Sequence, residues 1–368
     1  MERVDITVVG AGVVGLAAAE LLSRTGSTVV VLEKHARHGA ETSSRNSEVL
    51  HSGIHYPPGS LKAALCVEGR QALYRLCTER GIFCRQTGKL VVACEAAETQ
   101  ELEKLLEQGT ANGVQGLELI DAKFLSDLEP CVRGKAALKV PCAGIIDSEG
   151  LMRYFLRKAE EQGAIFLWNA ELSAAEPCSG GYRLKVKGMA DPFETRVVVN
   201  AAGLGAEAVA ALPGVDTKAA GYGLRLFKGQ YFRLRKSVDV RRLIYPVPDQ
   251  HGLGIHLTLD KAGGIRLGPD SSEVKSVDYE VDASRREAFL RAVSRYLPGL
   301  SAEDLDPDTA GVRPKLSADG SFKDFVIAEE TPRGLPDWVN LVGIESPGLT
   351  ASPAIARKVA DLLHLSLP

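Results

Sequence analysis

The stretch DITVVGAGVVGLAAAELLSRTGSTVVVLE runs from Asp5 to Glu33. Asp5–Gly10 is a short β-branched run, the pattern of a buried strand. Val13–Gly26 is rich in Ala and Leu and ends on Gly, the pattern of a helix with its stop. Ser27–Glu33 is a second strand. Between strand and helix stands GAGVVG, with Gly10, Gly12 and Gly15 around Val13 and Val14. Gly10 permits the tight turn, Gly12 lets a pyrophosphate approach the backbone, and Gly15 lets the helix pack closely on the sheet. The helix start then offers free N–H groups and a positive dipole end to phosphate. Glu33, followed by Lys34, stands where a ribose 2′-hydroxyl would be held. Strand before, helix after and an acid at this distance together predict a dinucleotide site.

The glycine pattern alone permits NAD or FAD. VVVNAAG, Val197–Gly203, is a buried strand ending in small residues before another helix. Ala202 and Gly203 there would admit a second part of a long cofactor, which FAD needs and NAD does not. Leu172 is counted with the same cofactor surface.

Downstream of the second strand comes TSSRNSEVLHSGIHY, Thr42–Tyr56. In a fold of this kind that loop runs beside the middle of the cofactor. Thr42, Ser43, Ser44, Arg45 and Asn46 suit hydrogen bonds to pyrophosphate and ribityl hydroxyls. His51 and His55 would share one face if the segment is helical. Metal binding through that pair is a rival, but no carboxylate or cysteine pattern supports it, so no metal is expected.

The chain has 368 residues, 45% hydrophobic and 25% charged, and a net charge of −3. Length and composition allow two or three globular domains. The charge balance, without a basic stripe, gives no reason to expect nucleic acid. Seven cysteines without a CxxC read as reduced thiols in a reducing, cytoplasmic setting. No stretch reads as a signal peptide or a transmembrane helix, and peripheral contact with a membrane stays open. Ser60 to about Arg80 reads as a helix closed by Gly81, residues 121–143 as irregular, and Asp147 or Ser148 as the cap of a helix stopped by Gly163. The pattern predicts an α/β chain with two domains. A Rossmann-like FAD-binding domain, a mostly parallel sheet with helices on both faces, takes 1–82, 144–214 and 311–368. A mainly antiparallel-sheet substrate domain takes 83–143 and 215–310.

GAGVVG, Glu33, TSSRNSEVLHSGIHYPPGSLKA, GKLVVA, GVRPK and GIESPGLTAS follow in this order along nearly the whole chain. Together they resemble the D-amino-acid-oxidase-type flavoproteins, and within them the L-2-hydroxyglutarate dehydrogenase family. The stretch 42–64 is the most specific part. The resemblance implies non-covalent FAD and oxidation of a small L-2-hydroxy acid to the 2-oxo acid. SSRNSEVLHSGIHY also resembles flavin-dependent glycerol-3-phosphate dehydrogenases, which usually carry arginine where this chain has His55. A phosphate dianion favours arginine's rigid fork, so His55 turns the reading away from that substrate. The same resemblance puts His51 near the substrate.

GVRPK supplies Arg313 and Lys315, two apart and on one side if the segment is a strand. Arg313 is expected to grip a substrate carboxylate. Lys315 would serve a second carboxylate or approach the flavin. His256, between apolar Ile255 and Leu257, is either a core-edge histidine or faces the flavin. Tyr245 and Tyr56 join His55 as substrate-pocket candidates, and His251 reads as exposed. In GIESPGLTAS, Gly343 and Gly348 would admit a flat ring. Leu349 and Thr350 would bond its oxygens, and Ser352–Pro353 would cap the last helix. A neutral His51 or His256 would take the hydroxyl proton while hydride passes to flavin. Amine or amino-acid oxidation by the same fold, and a non-catalytic flavin-binding module, are the competing functions. A quinone, a protein or oxygen would each serve as electron acceptor.

Overall fold

In the computed structural model of the chain, residues 3–248, 254–316 and 321–367 are described, so His251 lies outside the described residues. Contacts divide the chain into two units: Met1–Ser44, Ser148–Arg225 and Arg313–Pro368, and Arg45–Asp147 with Leu226–Val312. Residues 45–82, expected with the first domain, fall in the second unit. Their bonds explain it. The strand Val49–Leu50 pairs with Gly144–Ile146, which also pairs with Cys84–Arg85, and the Tyr74 hydroxyl donates to the Cys142 carbonyl at 3.2 Å.

The first unit is built on β1 (Arg3–Val9), α1 (Val13–Ser23) and β2 (Val29–Glu33). β1 is parallel to β2 on one side and to the strand Phe193–Asn200 on the other, and β2 is parallel to Ile165–Trp168. Phe193–Asn200 then forks. Its first residues pair antiparallel with Gly181–Val186, and its last pair parallel with Leu335–Val342. Alternation along β1 sends Ile6 and Val8 one way and Val9 the other. Val9 joins Val30, Leu32, Val198 and Trp338 in a core closed by Val209 of the helix Ala206–Ala211. α1 packs against the helices Ser148–Glu161 and Gly348–Leu362.

A buried polar seam ties the parallel strands together. Asn200 Nδ2 donates to Asn340 Oδ1 at 2.8 Å, and Asn340 Nδ2 donates to Glu330 Oε1 at 2.8 Å. Glu330, fully buried, also accepts from the Tyr222 hydroxyl at 2.5 Å and from Arg333 at 2.6 Å. Glu330→Ala would strand two buried donors at once. We expect a loss of roughly 3 kcal/mol, read as a lower thermal midpoint with unchanged secondary structure.

The second unit holds a nine-stranded sheet. Eight of its strands form a path, Ser272–Val274, Arg225–Leu234, Ile265–Leu267, Leu257–Leu259, Leu243–Pro246, Lys89–Ala93, Ala136–Val140, Glu118–Asp121, and the ninth, Leu305–Lys315, pairs with Arg225–Leu234 off that path. Along this path the pairing of Leu243–Pro246 with Lys89–Ala93 is parallel and the others are antiparallel. The helix Leu61–Arg80 begins where the sequence placed it. Ser60 Oγ accepts from the Ala63 N–H at 3.2 Å, and Gly81 ends the helix at φ +67°. Residues 121–143 are not irregular throughout, because they contain the helix Ala122–Leu128, capped by Asp121, and the strand Ala136–Val140. No helix among the described residues is long and apolar enough to cross a membrane.

Candidate active site

The nucleotide turn lies wholly in the first unit. Gly10 has φ +104°, and a Cβ there would stand 2.6 Å from the Ala201 carbonyl oxygen. A Cβ on Gly15 would stand 2.0 Å from the Gly10 carbonyl oxygen, so α1 touches the turn that precedes it. Ser43, in the short 3-10 turn Thr42–Ser44, accepts from the Val13 N–H at 3.0 Å and faces Gly12. Val14, next in the helix, keeps some exposed surface. Glu33 is nearly buried. Its carboxylate accepts from the Ala11 and His35 N–H groups, each at 2.8 Å, and so fixes the loop as it faces it. Lys34 pairs with Glu41 at 2.8 Å.

These residues fit a dinucleotide. At the amino end of α1 the Val13 N–H is taken by Ser43, and those of Val14 and Gly15, which follow it, have no intrahelical acceptor. Ala202 and Gly203 follow the fork strand, and Gly203, at φ +55°, has nothing within 4 Å of where a Cβ would stand. The Ala170 N–H donates to the Glu33 carbonyl at 2.8 Å, which brings Leu172 to the end of β2, though its side chain is core. Arg45 and Asn46 fall in the second unit. There Arg45 lies 3.9 Å over the Tyr279 ring with its Nε sealed, and Asn46 accepts from the Glu48 N–H at 2.8 Å.

The last helix differs from its expected start. It begins at Gly348, after Pro347, so Ser352 is inside it and not its cap. Pro353 has no N–H for the Leu349 carbonyl, and the Ser352 hydroxyl donates to that oxygen at 2.9 Å instead. Leu349 and Thr350 are thus first-turn residues, whose N–H groups have no intrahelical acceptor. Gly343 and Gly348 are close-packed by the protein itself. Their Cβ positions fall 2.6 Å from Leu316 and 2.9 Å from Ile344. The strand Leu305–Lys315 confirms the expected alternation, with Val312 and Pro314 buried and Arg313 and Lys315 partly exposed.

The second unit gathers four of the predicted side chains with one that sequence reasoning missed. Residues 51–60 are turns, not helix, so His51 and His55 do not share a helical face. Other bonds hold that loop. Asn112 Nδ2 donates to the Gly53 and Tyr56 carbonyls at 2.9 and 2.8 Å, Gln108 Nε2 to the Ile54 carbonyl at 2.6 Å, and the Cys66 thiol to the His51 carbonyl at 3.4 Å. His55, Tyr245 and His256 are layered. Tyr245 and His256 stack at 3.5 Å with a 10° tilt, and the His55 ring lies 6.4 Å from Tyr245 at 12°. His256 is buried, and the backbone of Ile255 before it accepts from the Tyr296 hydroxyl at 2.9 Å.

The missed residue is Lys89. It opens a strand whose five residues are all buried and is itself 1% exposed. Its Nζ lies 3.1 Å from His55 Nε2 and 4.7 Å from the centre of the Tyr245 ring. Burial pulls the ammonium down from 10.5 to about 8. Burial first, then Lys89, His256 and His51, holds His55 well below 6.5, so it is neutral at physiological pH. A lysine leading the buried run LVVA was the sequence signal.

The chain matches the FAD dependent oxidoreductase family over residues 5–362. It is 38% identical to the mitochondrial L-2-hydroxyglutarate dehydrogenase of Arabidopsis thaliana, across 98% of this chain and 83% of that one. It is 27% identical to the L-2-hydroxyglutarate dehydrogenase of Escherichia coli, across 99% and 94%. Among solved structures, the L-alpha-glycerophosphate oxidase of Mycoplasma pneumoniae, with FAD bound, superposes with a TM-score of 0.89 at 27% identity, across 100% and 96%. With a turn, an acid and a helix end that fit a dinucleotide, the chain belongs to the FAD dependent oxidoreductase family and is an FAD-dependent enzyme.

Proposed function

We propose that this enzyme oxidises a small L-2-hydroxy acid, 2-hydroxyglutarate or a close relative, to the 2-oxo acid. The observation that carries the reading is the similarity to L-2-hydroxyglutarate dehydrogenases over 98% of this chain. The glycerol phosphate reading has the M. pneumoniae structure in its favour. Against it stands the neutral histidine at position 55, a weak partner for a phosphate dianion.

FAD, when bound, supplies the acceptor for the hydride that leaves C2. The chain's own residues do the rest. Arg313 holds the carboxylate beside the reacting carbon through its planar fork. His51 or His256, in its neutral form, takes the proton from the 2-hydroxyl as the C–O bond gains double-bond character. Tyr245 and Tyr56 shape the pocket, and Lys315 is assigned to the carboxylate end. The electron acceptor after turnover is a quinone, another protein or oxygen. Seven free thiols support a reducing compartment, the cytoplasm in this reading, with contact at a membrane surface open.

Anaerobic mixing of the holoenzyme with L-2-hydroxyglutarate, L-lactate, glycerol 3-phosphate and glycine tests the proposal. Bleaching of the flavin band by the first at least about tenfold more efficiently than by the others is expected. Preferential bleaching by glycerol phosphate or by glycine would replace the reading, and bleaching by none would favour a non-catalytic flavoprotein. Admitting oxygen afterwards shows whether it is the acceptor.

A further inference from the structure

Lys89 is a buried cation without a carboxylate. Among the described residues no Asp or Glu pairs with it, and its hydrogen-bond partner is a neutral imidazole. His55 from the loop and the Tyr245 ring stand against it, Cys66 of the helix Leu61–Arg80 and Cys142 before the strand Gly144–Ile146 act on its charge, and His256 and His51 stand around His55. None is an anion at neutral pH, and burial pushes the Cys66 thiol up to about 12. An ammonium removed from water needs a negative partner to be stable in its charged form.

His55, on the loop, sits against this charge. A protonated amine only donates, so His55 Nε2 must accept from Lys89. The ring's remaining proton then sits on Nδ1. That atom is sealed from solvent and has no hydrogen-bond partner among the described residues, although His55 keeps some exposed surface. The pair is therefore a donor without an acceptor, backed by a charge without a counter-ion. Only an anionic oxygen answers both.

We propose that Lys89 and His55 recognise the second carboxylate of a dicarboxylic substrate. His55 donates to it from Nδ1, and Lys89 acts as the positioning residue that fixes the tautomer and supplies the charge. This deepens the hydroxy-acid reading and rests on it, because it says why a five-carbon diacid is taken in preference to a monoacid of the same length. It shifts the second-carboxylate role from Lys315 to Lys89. Lys89 carries its charge below about 8 and loses it above, so recognition of a dianion weakens as pH rises through that value.

Two measurements on the holoenzyme test it. The first is the ratio of kcat/KM for L-2-hydroxyglutarate over L-2-hydroxypentanoate, in wild type and in Lys89→Met. The ratio should fall at least about tenfold in the variant, since a charge-assisted contact is lost for one substrate only. A ratio that stays within about twofold overturns the proposal. The second uses wild type alone, so it survives failure of the variant to fold. Glutarate and pentanoate are titrated against the flavin spectrum from pH 7 to 9.5. Glutarate affinity should decline across pH 8 by about tenfold more than pentanoate affinity. Parallel pH profiles overturn the proposal. If glutarate binds with this pH dependence while L-2-hydroxyglutarate fails to bleach the flavin, the anion site stands and the substrate assignment falls.

Discussion

Flavin reduction by substrate should slow by about a thousandfold when His51 and His256 are both replaced by glutamine, within the range that loss of general-base catalysis produces. Glutamine keeps a polar group of similar reach but takes no proton. The single variants separate the two. The residue that takes the hydroxyl proton should lower the reduction rate at saturating substrate, whereas one that only lines the pocket should raise KM. His256 is the more constrained, since its ring stacks at 3.5 Å on Tyr245. Flavin content must be measured alongside, by absorbance per protein, because a drop there would mimic lost chemistry. Unimpaired reduction in the double variant would remove histidine from the mechanism.

Gly15→Ala should yield protein that is largely colourless and poorly folded. The new methyl carbon would sit 2.0 Å from the Gly10 carbonyl oxygen and 3.1 Å from its carbon. Both are backbone atoms, so α1 would have to lift from β1 and the turn would open. Overpacking a tight site usually costs 1–3 kcal/mol, and with no side chain to yield we expect about 3 kcal/mol or more. The contrasting change is Gly12→Ala, whose methyl would meet the Ser43 hydroxyl at 2.9 Å. A hydroxyl can rotate aside, so this variant should fold and bind FAD more weakly. If Gly15→Ala retains a full complement of flavin at an unshifted thermal midpoint, the close turn does not govern cofactor binding.

The βαβ start was legible because every local signal agreed: β-branched runs, three glycines at fixed offsets and an acid closing the second strand. The helix Leu61–Arg80 was legible for a similar reason, with a serine at one end and a left-handed glycine at the other. The last helix misled because Ser352–Pro353 has the form of a cap and first turn. The structure instead begins four residues before Ser352, at Gly348, and uses the serine to repair the bond that proline removes. The helix Ala122–Leu128 escaped notice because seven residues are too few to display a period.

The candidate site could be read as a list and not as an arrangement. His51, His55, Tyr245 and His256 were each named, yet what holds the loop of the first two is Asn112 and Gln108, more than fifty residues away. No local pattern reports such bonds. Lys89 was missed for a different reason. A lysine is read as surface by default, and only its place at the head of a fully buried strand argues otherwise.

The threading of the two units has a consequence for synthesis. The parallel sheet needs Leu335–Val342 beside Phe193–Asn200, and the other sheet needs strands on both sides of residues 148–225. On the ribosome, neither hydrophobic interior can close until most of the chain has emerged, so domain-by-domain folding during translation is barred. Until then the strand edges of both sheets stay unpaired, a hazard for association between nascent chains.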